Sequence, residues 1–293
     1  MNWKELLKSP FPVLLDGAMG TRLMEKGLSA GDIPESWNVK HPDIVRGIHL
    51  SYVEAGSKII YTNTFGANPL KLKRAGKEKQ VEKFNREGVK LAREAAGDRA
   101  LVAGDIGPTG EFLQPYGEWK DSDFKEAFQI QISALLEEGV DLLVLETFSD
   151  LRELMIALEV SRELTSLPVI ACMSFEAGKK GYRTIMGVRV EDVVREVGNT
   201  ADVIGVNCGG ITPSQMGEVL KEFKNLTSLP LLGKPNAGKS RIKEGEIIYE
   251  LDAEEFGKEM ESLIGIGVKF IGGCCGTNSQ HIKILAERIY PEG

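Results

Sequence analysis

Apolar runs rich in β-branched residues alternate along the whole chain with segments of helical period. Eight such runs occur, at 13–19, 58–65, 100–107, 141–148, 168–175, 202–209, 230–236 and 269–276. Near-continuous hydrophobicity is the pattern of strands covered on both faces, as in a parallel sheet. Helical periodicity fills the intervals at about 43–55, 80–96, 122–138, 150–165, 191–199, 213–226, 253–263 and 278–289. Asp123 with Glu126, and Thr212 with Pro213, supply N-cap oxygens and first-turn residues that mark helix starts. Eight strand–helix units in series, without a low-complexity linker, predict one α/β domain over residues 1–293, a (β/α)8 TIM barrel. A doubly wound sheet with a long tail is the structural alternative.

The longest interruptions, 20–42 and 108–121, follow the first and third runs, and a Gly- and Lys-rich stretch at 176–190 follows the fifth. Active-site loops of barrel enzymes sit on that side, at the C-terminal ends of the strands. Polar residues recur at the same ends: Asp16, Asn63, Asp105, Glu146, Asn207-Cys208, Asn236 and Cys274-Cys275. Turn chemistry alone accounts for any single one of them, but a closed barrel gathers all of them at one mouth.

The 36 Lys and Arg residues stand against 43 Asp and Glu, a net charge of −7. That balance argues against nucleic acid or an anionic membrane surface as the main partner. No apolar run approaches the ~18 residues of a membrane span, and Met1-Asn2-Trp3-Lys4-Glu5 does not open a secretory leader. Asn225-Leu226-Thr227 fits a glycosylation pattern that has no use without secretion. Four cysteines, two of them adjacent, do not resemble an extracellular disulfide framework, so a cytoplasmic setting is expected.

The cysteines carry the sharpest chemistry. In a barrel Cys208, ending the sixth strand, and Cys274-Cys275, ending the eighth, converge. Adjacent side chains of a regular strand face opposite ways, so bringing both to one ion requires irregular backbone, which Gly272, Gly273 and Gly276 permit. Three thiolates around tetrahedral Zn2+ leave one coordination position for a substrate, the mark of a catalytic site. The same thiols also fit two other readings, buried packing and a strained redox disulfide. Cys172 lies inside the fifth strand and reads as packing. His41, His49 and His281 lie away from the strand ends, which disfavours a histidine metal triad.

One motif points elsewhere. Gly233-Lys234-Pro235-Asn236-Ala237-Gly238-Lys239-Ser240 satisfies the spacing of a phosphate-binding P-loop. Such a loop must open a helix, whereas residues 241–249 lack a helical apolar face and read as an extended excursion. Gly104-Asp105-Ile106-Gly107-Pro108-Thr109-Gly110 lacks dinucleotide-binding spacing and reads as turns.

Taken together, Asp16-Gly17-Ala18-Met19-Gly20-Thr21, Thr62-Asn63-Thr64-Phe65, Gly107-Pro108-Thr109-Gly110, Glu146-Thr147-Phe148, Asn207-Cys208 and Gly272-Gly273-Cys274-Cys275-Gly276-Thr277 resemble the zinc-dependent homocysteine S-methyltransferase family. Within it, the N-terminal homocysteine-binding domain of cobalamin-dependent methionine synthase is the nearest in pattern. The resemblance implies a metal site at the C-terminal face, with Cys208, Cys274 and Cys275 as zinc ligands and the thiol of L-homocysteine as the fourth. It further implies that Asp16 and Glu146 receive the substrate ammonium, and that backbone N–H groups around Ala18, Met19 and Gly20 hold its carboxylate. Gly17, Asn63, Asp105, Thr147 and Asn207 complete the implied substrate site, and Asn236 lies near the metal.

The implied activity is methyl transfer to homocysteine, giving methionine. The implied donor is methylcobalamin carried by a separate domain or partner, a corrinoid- or methyltetrahydrofolate-binding protein, because the chain stops after its eighth helix. A donor of the S-methylmethionine or betaine type is the alternative; Trp37, Phe65, Tyr116 and Trp119 lie in or beside mouth loops without forming an evident aromatic cage. Two further classes are a non-catalytic zinc- and homocysteine-binding module and a thiol redox sensor using Cys274 and Cys275.

Overall fold

The computed structural model describes residues 2–29, 31–243 and 246–290. One parallel sheet contains β1 (Val13–Leu14), β2 (Ile59–Tyr61), β3 (Leu101–Ile106), β4 (Leu142–Phe148), β5 (Val169–Met173), β6 (Val203–Asn207), β7 (Leu231–Lys234) and β8 (Phe270–Ile271). Each strand pairs with its sequence neighbours, β8 pairs with β1, and a parallel bridge between Leu15 and Ile59 joins β1 to β2 and closes the barrel.

The period of two explains why the strands read as solid apolar runs. Leu15, Ile59, Tyr61, Ala103, Val144, Ile170, Cys172, Leu232 and Phe270 form one buried cluster inside the barrel. Their alternates Leu14, Ile60, Val102, Leu143, Ala171, Ile204, Leu231 and Ile271 join a second cluster under the helices. Cys172 packs in the interior, as its place within a strand suggested.

Eight helices surround the sheet: α1 (Pro42–Glu54), α2 (Val81–Ala96), α3 (Asp121–Glu137), α4 (Leu151–Leu164), α5 (Val190–Val197), α6 (Pro213–Leu226), α7 (Ala253–Ile266) and α8 (Ser279–Ile289). Thr212 caps α6, its Oγ1 accepting the Gln215 N–H while Gln215 Oε1 accepts the Thr212 N–H. Asp123 differs from expectation: α3 starts two residues earlier, and the Asp123 carboxylate accepts the Lys120 N–H at 2.7 Å from the third helical position. No described helix is long and apolar enough to cross a membrane.

A short helix, Trp3–Lys8, was not legible in the sequence; six residues are too few to show a period. Asn2 and Glu5 cap it reciprocally. Trp3 stacks on Phe270 with ring centroids 5.2 Å apart, and Leu6 joins the interior cluster, so this helix plugs the N-terminal end of the barrel. Leu6→Ala is expected to lower stability by about 2 kcal/mol without altering metal content, measured by thermal unfolding and metal analysis.

The long interruptions contain local structure. Gly20–Glu25 and Trp37–Lys40 are helical, and antiparallel hairpins pair Glu176–Gly178 with Gly181–Arg183 and Ser240–Lys243 with Glu246–Tyr249. The second hairpin is the extended excursion expected after the P-loop look-alike, so no helix opens there. The segment Pro69–Lys73, after β2, adds a helical turn that the sequence did not reveal.

Candidate active site

Beyond the apolar layers of the barrel, the inward-facing positions turn polar. Counting by two from Tyr61, Ala103, Val144 and Leu232 reaches Asn63, Asp105, Glu146 and Lys234. All four line one cavity of about 300 Å³ at the C-terminal face, together with Asp16, Gly17, Ala18, Met19, Gly20, Phe65, Thr147 and the three cysteines. Phe65 alone of the four mouth aromatics lines it.

The strands that supply the thiols stop early. β8 ends at Ile271, before Cys274 and Cys275, because the chain must bend there. A Cβ on Gly272 would stand 2.7 Å from Leu15 Cβ and 2.8 Å from Asp16 O, so only glycine allows the close approach. Cys208 turns with φ 53°, a left-handed conformation strained for a side-chain-bearing residue. The β7 loop stitches the thiols together: Cys208 N–H donates to Lys234 O, Cys274 N–H donates to Pro235 O, and Ala237 N–H donates to Cys275 O.

As a result the three Sγ atoms lie within 4.8 Å of one another, with Cys274 and Cys275 Sγ 4.0 Å apart. Tetrahedral zinc with Zn–S bonds of about 2.3 Å holds its sulfurs about 3.8 Å apart, so the donor set fits that ion. Among the described residues this is the cluster of side chains that can hold a metal. Asn236 lies beside it: its Nδ2 donates to Gly209 O at 2.9 Å, and its buried Oδ1 has no hydrogen-bond partner.

Behind the thiols lies a group of charges. Asp16 Oδ2 accepts the Tyr61 N–H at 2.7 Å. Lys234 Nζ stands 3.0 Å from Asp16 Oδ1, 4.0 Å from Glu146 Oε2 and 3.9 Å from the centre of the Tyr61 ring. The Asp16 contact is an ion pair set by proximity rather than by hydrogen-bond direction.

Burial pushes the Asp16 carboxyl up, against the pull of Lys234 and the Tyr61 N–H. It also lifts Glu146 to about 8, with Lys234 again opposing. Asp105 rises well above the carboxylate range, through burial and then the neighbouring Glu146. Burial works against the charge of Lys234, but Asp16 and Glu146 outweigh it and keep this ammonium protonated. Sequence reasoning missed Lys234, although its alternation with Leu232 is the signal that places it inward.

Two implied contacts are already committed within the chain. The Ala18 N–H donates to Thr277 Oγ1 at 3.1 Å, and Tyr52 donates to Ala18 O at 2.6 Å. A Cβ on Gly17 would lie 2.7 Å from the Tyr52 ring, so the segment is clamped. This leaves Met19 and Gly20, at the start of a helix where N–H groups lack internal partners, as the free part of the expected carboxylate cradle.

Asn207, expected at the substrate, is buried beside the cavity and braces its wall. Its Oδ1 accepts the Thr147 N–H and its Nδ2 donates to Thr147 Oγ1, both at 2.7 Å. That pair holds Thr147 at φ 65°. Asn63 is likewise anchored, donating to Pro34 O and Asn38 Oδ1.

Glu153, in the first turn of α4, secures the loop after β3. One of its oxygens accepts both the N–H and the hydroxyl of Thr109 at 2.7 Å. Burial raises its pKa from 4.5 to about 7 despite these donors. The folded chain thus holds this proton more tightly than the unfolded chain, and stability falls as pH rises from 4.5 to about 7. Glu153→Gln is expected to remove up to about 3 kcal/mol of that decline, read from denaturant unfolding at pH 5 and pH 8. An unchanged difference between the two pH values contradicts it.

Comparison with known proteins gives the same picture. The sequence profile of the family described as homocysteine S-methyltransferase matches residues 13–289. The methionine synthase of Mycobacterium tuberculosis is 29% identical over 94% of this chain and 24% of its own length. The chain therefore spans about a quarter of that relative. Betaine–homocysteine S-methyltransferase 1 of Mus musculus is 31% identical over 98% of this chain and 74% of its own. The crystal structure of the metallated homocysteine methyltransferase of Escherichia coli superposes with a TM-score of 0.80 at 26% identity, covering 97% of this chain and 99% of that one. The chain belongs to the homocysteine S-methyltransferase family.

Proposed function

We propose that the chain, acting as a single barrel domain over residues 1–293, transfers a methyl group to the thiol of L-homocysteine and forms methionine. The observation that carries this reading is the meeting of three thiols with a carboxylate-lined cavity, in a chain of this family. Cys208, Cys274 and Cys275 hold zinc in this account. When bound, the ion lowers the pKa of a coordinated thiol and keeps the substrate sulfur nucleophilic at neutral pH.

The chain's own residues do the rest. The cavity acids favour the substrate ammonium, because Asp16, Glu35, Asp105 and Glu146 line it together with a single lysine, Lys234. The Met19 and Gly20 N–H groups receive the substrate carboxylate at a helix start, where negative charge is favoured. Asn207 and Thr277 hold the cavity walls in place through Thr147 and Ala18. Asn236, whose Oδ1 is buried and unpartnered, stands near the metal in this reading, as the family resemblance implies.

The donor in this reading is a methyl group on a corrinoid carried by a separate domain or protein. Large apolar side chains stand exposed on three loops around the mouth: Phe112 and Tyr116 after β3, Ile185 after β5, and Ile242 and Ile247 on the β7 hairpin. An apolar rim of this kind suits a macromolecular donor better than a small solute.

The test is methionine formation from L-homocysteine by zinc-loaded protein. Methylcobalamin, free and protein-bound, is compared with S-methylmethionine and betaine. Turnover with the corrinoid supports the reading. Turnover with only a small cationic donor keeps the reaction and replaces the donor. Zinc and homocysteine binding without methionine from any donor identifies a binding module instead. Chelation is expected to abolish activity and zinc to restore it; activity that survives chelation contradicts the metal's role.

A further inference from the structure

The β7 hairpin reaches from the rim back to the thiols. Ile247 and Ile248 on its returning strand are exposed, but Tyr249, the last residue of that strand, is half-buried and packs against the core. Three backbone bonds fix its place: Glu250 N–H donates to Lys239 O, Leu251 N–H to Ala237 O, and Ala237 N–H to Cys275 O. A Cβ on Gly276 would stand 2.2 Å from Tyr249 Cγ and 2.4 Å from its Cδ2, so the ring lies directly on the turn that carries Cys275. Glycine, at φ 81°, is what admits it there. The Tyr249 hydroxyl hydrogen-bonds to the Cys275 side chain. A phenol keeps its proton at neutral pH, so the oxygen donates and the sulfur accepts.

This contact bears on a problem that the proposed reaction creates. Once homocysteine is bound, four thiolates share one centre, and an electrophilic methyl donor arriving at the mouth meets whichever is accessible. Cys274 is buried, whereas Cys208 and Cys275 are only half-buried. If the Cys275 sulfur attacked, its lone pair would form a C–S bond. The donor–methyl bond would break with its electron pair staying on the donor, and a charged ligand would become a neutral thioether. The centre would be spent. A hydrogen bond to a thiolate draws off electron density and lowers its nucleophilicity, the kind of outer contact that tunes metal sites.

We infer that Tyr249 protects Cys275 from methylation, its hydroxyl damping the sulfur and its ring covering the turn, so that the methyl group goes to the substrate thiolate. Tyr249 lies outside the cavity lining, so it is a positioning residue that acts through Cys275. The inference deepens the proposed function and rests on its three-thiolate metal site.

The test is alkylation of the zinc-loaded full chain by methyl iodide, without homocysteine, with the methyl groups located by peptide mass mapping. Tyr249→Phe keeps the ring over Gly276 and removes only the hydroxyl. Methylation of Cys275 is expected to rise roughly 10-fold in this variant, while Cys208 keeps its rate. Cobalt in place of zinc supplies a second readout. Loss of the hydrogen bond is expected to move the thiolate-to-cobalt charge-transfer band to longer wavelength, with the tetrahedral bands in the visible retained.

An unchanged Cys275 rate overturns the inference, and so does an unchanged charge-transfer band. An equal rise at Cys208 and Cys275 also overturns it, because that marks a loosened site rather than a lost donor. A chain that binds neither zinc nor cobalt through the three thiols overturns the metal site itself, and this inference with it.

Discussion

Cys208→Ala is expected to abolish stoichiometric zinc retention and to reduce methionine formation by more than about 100-fold. Loss of a residue that merely supports a ligand already costs about 10- to 100-fold in metal affinity or activity. Removing a ligand leaves two thiols where the arrangement provides three, and no other described His, Cys, Asp or Glu joins them in a metal-holding group. Bound zinc, counted by metal analysis after dialysis against a competing chelator, checks the expectation. Tight one-to-one zinc in this variant would mean that the three-thiolate assignment is wrong. A reversible Cys274–Cys275 disulfide with no dependence on metal would favour the redox reading instead.

Gly209→Ala is expected to disturb the same centre without removing a ligand. Gly209 sits at φ 76°, directly after the left-handed Cys208, and a Cβ there would lie 3.1 Å from Phe175 N and 3.3 Å from Phe175 C. Backbone on one side and a forbidden dihedral on the other leave the added methyl no easy adjustment. Stability should fall by about 2–4 kcal/mol, and zinc affinity should fall with it, since the turn aims the Cys208 thiol. Thermal unfolding and chelator competition measure the two effects. A variant with unchanged melting and unchanged zinc affinity contradicts the idea that this turn sets the centre's geometry.

Much of the architecture was legible because burial on both faces leaves a strong mark. Leu14 and Leu15, or Val144 and Leu145, face opposite clusters, and both are apolar. The eight runs therefore stood out, as did the polar residues at their ends. What stayed hidden depends on partners remote in sequence. The Ala18 N–H is taken by Thr277, and the Asn207 side chain by Thr147; no local pattern announces either bond.

Runs one and eight promised longer strands than β1 and β8 because hydrophobicity continues through 16–19 and 272–276, where close backbone approach bends the chain into the site. Lys234 was obscured for another reason. It was read as part of a phosphate-loop look-alike, and its two-residue offset from Leu232 was not followed inward. That omission concealed the cation that pairs with Asp16 and neighbours Glu146 inside the cavity.

The central claim is that the cavity binds homocysteine as a thiolate at neutral pH. Proton release measures it without any methyl donor. L-homocysteine is titrated into zinc-loaded protein at pH 7 in two buffers of different ionisation enthalpy. Because metal ligands must shed their protons, the account predicts about one proton more released per homocysteine bound than per methionine bound, a difference that disappears when zinc is absent. Homocysteine binding that releases no proton, or that proceeds equally well without zinc, would contradict it.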